Sequence, residues 1–92
     1  MSIRIEIDQV CRPTYDGLPA DIKTSALKAW RWAHERLIRA DGDGWCLYLF
    51  RKQNGIVFSL SKPRWASDHC GAPRATGAEA IIMAVLEYEH GF

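Results

Sequence analysis

The 92-residue sequence has no long apolar run, and its net charge is only +1. No apolar stretch approaches the roughly 20 residues that a bilayer-spanning helix needs. The first ten residues alternate isoleucine with charged residues and lack the apolar block of a signal peptide. We therefore predict one small domain that works in the cytoplasm and has no membrane partner.

Cysteine is scarce. Cys11, Cys46 and Cys70 form an odd set with no short pairing distance, which predicts no disulfide framework. Zinc is the alternative because three histidines are also present, but no Cys-x-x-Cys or His-x-x-x-His pair occurs. We predict no metal and no cofactor. Cys46 lies in an apolar segment and is expected to be a small core residue.

Catalytic motifs are also missing. The chain has no Gly-x-Ser-x-Gly, no glycine-rich phosphate loop and no paired-carboxylate pattern. Asp68, His69 and Cys70 stand side by side, but catalytic groups usually converge from separate parts of a chain. We predict a protein without enzymatic activity. An enzyme would become plausible only if His69 and Cys70 shared a cleft with a third oriented polar group.

Charge is unevenly distributed along the chain. Residues 23–74 contain ten Lys and Arg against four acidic residues, whereas residues 1–22 and 75–92 together carry a net charge of −5. One interpretation is that these charges only solvate a helix and a hairpin. The other is a basic surface that faces an acidic partner.

Hydrophobic patterning predicts the first two elements. Residues 2–10 alternate strictly, with Ile3, Ile5 and Ile7 on one side, which is typical of a half-buried edge strand. A helix is predicted from about residues 18–21 to 40, with small apolar residues along one side. The glycine-rich segment 41–44 ends it.

The second half predicts a hairpin and a last helix. Residues 45–50 are apolar on both faces, which favours a strand in the middle of a sheet with one helix on each side, although one-sided packing stays open. Asn54-Gly55 connects it to a strand over 56–61. The segment 62–75 is a long loop, and Thr76 with Glu79 forms a capping box at the start of the last helix.

These elements predict an α+β fold of order β-α-β-β-α, in which a three-stranded, mostly antiparallel sheet packs with two helices. The edge strand predicted at the N-terminus would leave backbone groups unpaired. A homodimer formed by pairing of these edges is therefore a possible assembly.

The segment KAWRWAHERLIR predicts different roles for its two tryptophans. At about 100° per residue, Trp30 falls on the apolar side of the helix and Trp32 falls among basic residues. Tryptophan and arginine are enriched at binding hot spots. Trp65 in the long loop has a similar setting. Alternatively, Trp65 folds back over the sheet edge, and Trp32 lies flat on an aliphatic surface. The predicted partner-binding residues are Lys28, Trp32, Arg36, Arg39, Lys62, Arg64, Trp65, His69 and Arg74.

The pieces DGW, LYLF, NGIVFSLSKPRW and GAPRATGAEAIIMAVL, within residues 42–87, resemble small bacteriophage proteins of the α/β/α-sandwich type. Some similar phage proteins are anti-CRISPR or other anti-defence inhibitors that occupy a surface of a bacterial complex. The resemblance implies a non-enzymatic inhibitor of a bacterial defence complex, acting in the host cytoplasm. The alternative, from aromatic and basic residues together, is a small nucleic-acid-binding regulator.

Overall fold

The structure is a computed structural model that describes residues 3–91, with side chains from residue 5 onward. Its elements are α1 (Ile3–Asp16), α2 (Ala20–Thr24), α3 (Ala26–Asp41), β1 (Cys46–Lys52), β2 (Gly55–Ser61), β3 (His69–Cys70) and α4 (Gly77–Glu89). The strands form an antiparallel sheet of order β1-β2-β3. The α+β class and the three-stranded antiparallel sheet are confirmed. The predicted order β-α-β-β-α is wrong, because three helices precede the sheet.

The N-terminal segment is a helix, so the strand predicted over residues 2–10 is wrong; residue 2 lies outside the described part of the chain. Ile7, Cys11 and Tyr15 recur every four residues and all contact the core from one side of α1. Ile5, which an edge strand would bury together with Ile7, is exposed. The four-residue spacing therefore outweighs the shorter two-residue alternation. The strand predicted to mediate dimerisation does not exist.

The predicted helix over residues 18–40 is two helices that meet at Ser25. The backbone of Ser25 is extended (φ −120°, ψ 118°), and its hydroxyl accepts a hydrogen bond from the Lys28 amide at 3.3 Å. Serine is a preferred N-cap because its hydroxyl satisfies an amide that has no partner within the helix. Gly42 follows α3 with φ +77°, a conformation that favours glycine and ends the helix.

Helices α3 and α4 lie on the same face of the sheet, and β1 lies at its edge. Trp30 of α3 packs edge-on against Phe58 of β2, with ring centroids 5.3 Å apart. Leu60 lies on the same face of β2 as Phe58 and pairs with His69 of β3, so His69 also lies on that face. His69 is 3.8 Å from Glu87 of α4, which places α4 on the same face as α3. The prediction that β1 is central is wrong, because β2 is the strand with two neighbours. Of the two helix arrangements left open, the structure has α3 and α4 on one face of the sheet.

Helix α4 is the centre of the molecule. Thr76 is its N-cap, and its hydroxyl accepts a hydrogen bond from the Glu79 amide, as predicted. Every residue from 78 to 87 is buried except Glu79, which is half-buried. α4 packs against β2, β3 and the three other helices. Gly71 allows the close approach of the sheet, because a Cβ there would lie 2.7 Å from the Cβ of Ala84.

Candidate functional site

Ion pairs within the molecule join the basic middle of the chain to its acidic ends. Arg36 of α3 binds Glu89, with its Nη2 3.0 Å from Oε1, and Lys28 lies 3.2 Å from Asp21. The largest such cluster forms around Arg74. The charge separation along the sequence is therefore partly cancelled by folding.

The predicted binding surface on α3 is not assembled as expected. Trp32 is half-buried against the core, and the Arg36 guanidinium lies 5.1 Å from its ring centroid. Lys28 and Arg39 are exposed, but they pair with Asp21 and Glu35. Trp32 is therefore not fully exposed, and its position agrees with the alternative in which its ring lies along an apolar surface.

The reason lies in the helix geometry. The two tryptophans lie about 200° apart in one direction and hence about 160° apart in the other. Ala29, Ala33 and Leu37 are buried within the smaller arc, so Trp30 and Trp32 flank this stripe and both contact the core.

Arg74 is buried, so its prediction as a partner-binding residue is wrong. Its Nη1 lies 2.8 Å from Oδ1 of Asp8 in α1, and its Nη2 donates to Oε1 of Glu87 in α4 at 3.1 Å. Burial lowers the pKa of Arg74, but the hydrogen bonds that its guanidinium donates to Asp8 and Glu87 outweigh this effect and raise the pKa above its usual value. Arg74 also exchanges two backbone hydrogen bonds with Ile56. Arg74 thus ties α1 to α4 through its side chain and joins both to the sheet through its backbone.

His69 is also largely buried and lies beside the same ion cluster. Its Nε2 is 3.8 Å from Oε2 of Glu87, beyond hydrogen-bond distance, and its ring packs near Tyr88. Burial lowers the pKa of His69, and a backbone hydrogen bond at Ala84 offsets only part of this effect. Burial raises the pKa of Glu87, with Arg74 opposing. His69 therefore belongs to the core and not to an exposed binding surface.

We expect His69 to make the fold less stable in mild acid. The unfolded chain takes up a proton near the ordinary pKa of about 6.5, whereas folded His69 does so only at lower pH. Stability therefore falls as the pH drops from about 6.5 towards the lowered folded-state pKa, by at most about 1.4 kcal/mol per pH unit. Urea unfolding of the wild type and of His69→Gln across this range measures the effect. Glu87 is present in both proteins, so their difference isolates His69. Parallel loss of stability in both would contradict the prediction.

The loop after β2 forms an open depression at one end of the sheet. The Trp65 amide donates to the Lys62 carbonyl at 2.9 Å, which closes a turn with Pro63 at its second position. The depression has a volume of about 450 Å³, which is within the range of ligand-binding clefts. Its lining residues are Asp43, Gly44, Lys62, Pro63, Arg64 and Trp65.

An aromatic cluster holds this loop in place. Trp65 packs edge-on against Trp45 with ring centroids 5.3 Å apart, and Tyr88 of α4 lies 5.5 Å from both rings. Lys62 reaches over the Trp45 ring and donates to the Asp41 carbonyl. A hydrogen bond to the Asp41 carboxylate, followed by burial, raises the pKa of Tyr88 to about 12. Trp65 therefore folds back over the end of the sheet, one of the two arrangements considered for it.

Of the predicted binding residues, the structure brings Lys62, Arg64 and Trp65 together. Sequence reasoning missed Asp43, Gly44 and Pro63, although the glycine-rich segment and the Lys-Pro dipeptide both indicate turns. It also missed Asp8 and Glu87; the acidic residue within the otherwise apolar IIMAVLEY was the available signal for Glu87.

The three adjacent reactive residues do not form a catalytic cluster. Asp68 accepts a hydrogen bond from the Ser59 hydroxyl at 3.3 Å. His69 and Cys70 are consecutive in β3, so they point to opposite faces of the sheet. Cys46 is half-buried on the face opposite α3 and α4, whereas Cys11 is the buried cysteine. In the part of the chain that the structure covers, no three His, Cys, Asp or Glu side chains are grouped around a possible metal position.

No helix within residues 3–91 is both long and apolar enough to cross a membrane. Comparison of the chain with protein-family models, with curated proteins and with solved structures gave no match.

Proposed function

We propose that this chain is a non-enzymatic binding protein whose contact surface is the depression around Lys62, Arg64 and Trp65. The observation that supports this proposal most strongly is the pre-ordered loop: its turn is hydrogen-bonded, and Trp65 is fixed by two aromatic neighbours. A surface that is already ordered loses little conformational entropy when it binds. The exposed Pro63 and Arg64 project from this rigid base.

The class of partner that we propose is a bacterial defence protein or complex. The resemblance of residues 42–87 to small phage proteins, some of which are anti-defence inhibitors, supports this choice, and the depression lies within that stretch. Such a protein would act in the host cytoplasm by covering a surface of its target. The mixed lining, with Asp43 beside Lys62 and Arg64, suits a protein surface that carries both signs of charge.

The test begins with capture of a host protein from bacterial lysate at low salt and continues with measured affinity for that protein. Arg64→Glu should weaken binding at least tenfold, because it reverses a charge at the centre of the surface. Arg31→Glu makes the same change at an exposed position on α3 and should bind like the wild type.

A functional assay complements the binding assay. Expression of the chain in bacteria with an active defence system should raise the plating efficiency of a phage that this system restricts, and Arg64→Glu should remove the effect. If no host protein is captured, or if Arg64→Glu and Arg31→Glu bind equally, this surface is not the binding site.

A second candidate function is nucleic-acid binding, favoured by the placement of Lys62 and Arg64 beside Trp65. Such binding should weaken steeply as salt increases, since it depends on phosphate contacts. Retention on single-stranded or duplex DNA at about 50 mM salt, lost in Arg64→Glu, would support it. Absence of any mobility shift under these conditions would exclude it.

A further inference from the structure

Strand β1 has a free backbone edge whose hydrogen-bonding groups can be assigned. In β2, Ile56 exchanges two backbone hydrogen bonds with Arg74, and the Phe58 carbonyl accepts from the Gly71 amide. These residues therefore point their amides and carbonyls towards the β3 side. Because the direction alternates along a strand, the residues between them bond to β1.

The register between the strands then identifies the free groups of β1. Tyr48 and Phe50 pair with Ser59 and Val57, so their amides and carbonyls point towards β2. The intervening residues of β1 point theirs away from β2, towards the open edge. These residues are Leu47, Leu49 and Arg51.

The two edges of the sheet differ in how they are protected. Natural proteins shorten, bend, charge or cover an exposed edge strand to prevent pairing with another chain. β3 is only two residues long. β1 has seven residues, contains no proline and runs in continuous register with β2, and β2 is the only strand that pairs with it among residues 3–91.

We propose that β1 pairs antiparallel with β1 of a second copy, so that two three-stranded sheets join into one of six strands. One register uses all the backbone amides and carbonyls at the free edge. It places Leu49 opposite Leu49 of the second copy and Leu47 opposite the second copy's Arg51. By symmetry Arg51 also lies opposite Leu47 of the second copy, so there are three such pairs. Each pair forms two hydrogen bonds, which makes six across the seam.

The side chains of β1 fit this register. On the face opposite α3 and α4, it places Tyr48 of each copy opposite Phe50 of the other, as a non-hydrogen-bonded pair whose side chains lie close together. Aromatic cross-strand pairs stabilise a sheet. Tyr48 is 57% exposed in the single chain, and Leu49 is 37% exposed. Pairing would cover both.

The charges at the two ends of β1 favour antiparallel pairing with itself. Asp41 and Asp43 precede the strand, and Arg51 and Lys52 end it. In the proposed register Lys52 lies opposite Cys46, on the order of 10 Å along the strand from the partner's Asp43. Exposed charges still act over that distance at about 0.1 M salt. Parallel pairing would instead bring like charges together.

The dimer is independent of the proposed function, but it would extend the proposed surface. Asp43 lines the depression next to Lys62 and Arg64. The second copy would bring its Arg51 and Lys52 to the same rim, and the dimer would carry two such surfaces.

Sedimentation equilibrium from about 1 μM to about 1 mM tests the proposal. The chain alone has a mass of 10.4 kDa, and we expect the mass to approach twice this value as concentration rises. Leu49→Lys should remain monomeric throughout, because it places two like charges opposite each other at the seam. Leu27→Lys makes the same change at a 62% exposed position on α3 and should dimerise like the wild type.

A charge exchange tests the orientation even if Leu49→Lys disturbs the hairpin. Lys52→Asp alone and Asp43→Lys alone should each weaken the dimer at low salt, and the double variant should recover it. Asp43 and Lys52 of one chain are on the order of 30 Å apart along the strand, so recovery reports contact between copies. A monomer at every concentration would overturn the proposal. A dimer that tolerates Leu49→Lys, or a double variant without recovery, would overturn the proposed pairing.

Discussion

Replacing Arg74 with alanine is expected to lower the free energy of unfolding by about 3–5 kcal/mol, the range for breaking a buried ion pair from one side. Arg74 is 3% exposed, and its guanidinium bonds Asp8 and Glu87. Without it, the Glu87 carboxylate remains buried without its cation. The loss is comparable to the whole stability of a small domain.

Chemical denaturation monitored by circular dichroism measures this effect. Arg39→Ala is the matched control, because the Arg39 side chain is 79% exposed and its pair with Glu35 lies at the surface. We expect the control to change stability by less than about 0.5 kcal/mol. A second variant, Arg74→Leu with Glu87→Leu, removes both partners and should recover part of the loss. If Arg74→Ala is no more destabilising than Arg39→Ala, the ion cluster does not hold the helices to the sheet.

Trp30→Ala is expected to lower the free energy of unfolding by at least about 2 kcal/mol, somewhat below the range for a fully buried tryptophan. The Trp30 ring contacts Phe58, and its loss would leave a cavity between α3 and the sheet. Trp32→Ala should also destabilise the fold, by about 1–2 kcal/mol, because its half-buried ring packs against the core and under Arg36.

Thermal melts of the two variants beside Leu27→Ala separate these contributions. Leu27 lies on the same helix but is exposed, so its truncation should have little effect. If Trp32→Ala melts like Leu27→Ala, Trp32 contributes nothing to the core. It would then return as a candidate for binding.

Local signals were sufficient for the hairpin and the last helix. The hairpin forms where it was predicted, but its two-residue loop is Gln53-Asn54, and Gly55 (φ +141°) is the first residue of β2 and pairs with Lys52. Thr76 caps α4 through the Glu79 amide, as predicted. Each signal acts between residues that are near in sequence, so its effect does not depend on the rest of the fold.

The N-terminal helix could not be chosen from its sequence pattern alone. Ile3, Ile5 and Ile7 fit a strand, while Ile7, Cys11 and Tyr15 fit a helix, and the two patterns overlap. The choice of helix over strand depends on two tertiary contacts. α1 packs against α4, and Asp8 of α1 forms an ion pair with Arg74. A contact across 66 residues of sequence has no local signal.

The candidate site shows the same division. The sequence alone placed Lys62, Arg64 and Trp65 in one loop and predicted that they bind a partner. Only the tertiary structure brought Asp43 and Gly44 to that loop, and it removed Arg74, His69 and Trp32 from the predicted surface.

Residue order by itself determined the position of the hairpin, the Thr76 cap of α4 and the end of α3 at the glycine-rich segment, because these depend on neighbours within about four residues. Tertiary structure decided which apolar faces meet, which charges cancel and which strand is left at an edge. These outcomes depend on burial and on Coulomb interactions between residues far apart in the chain, as Arg36 with Glu89 and Arg74 with Asp8 show.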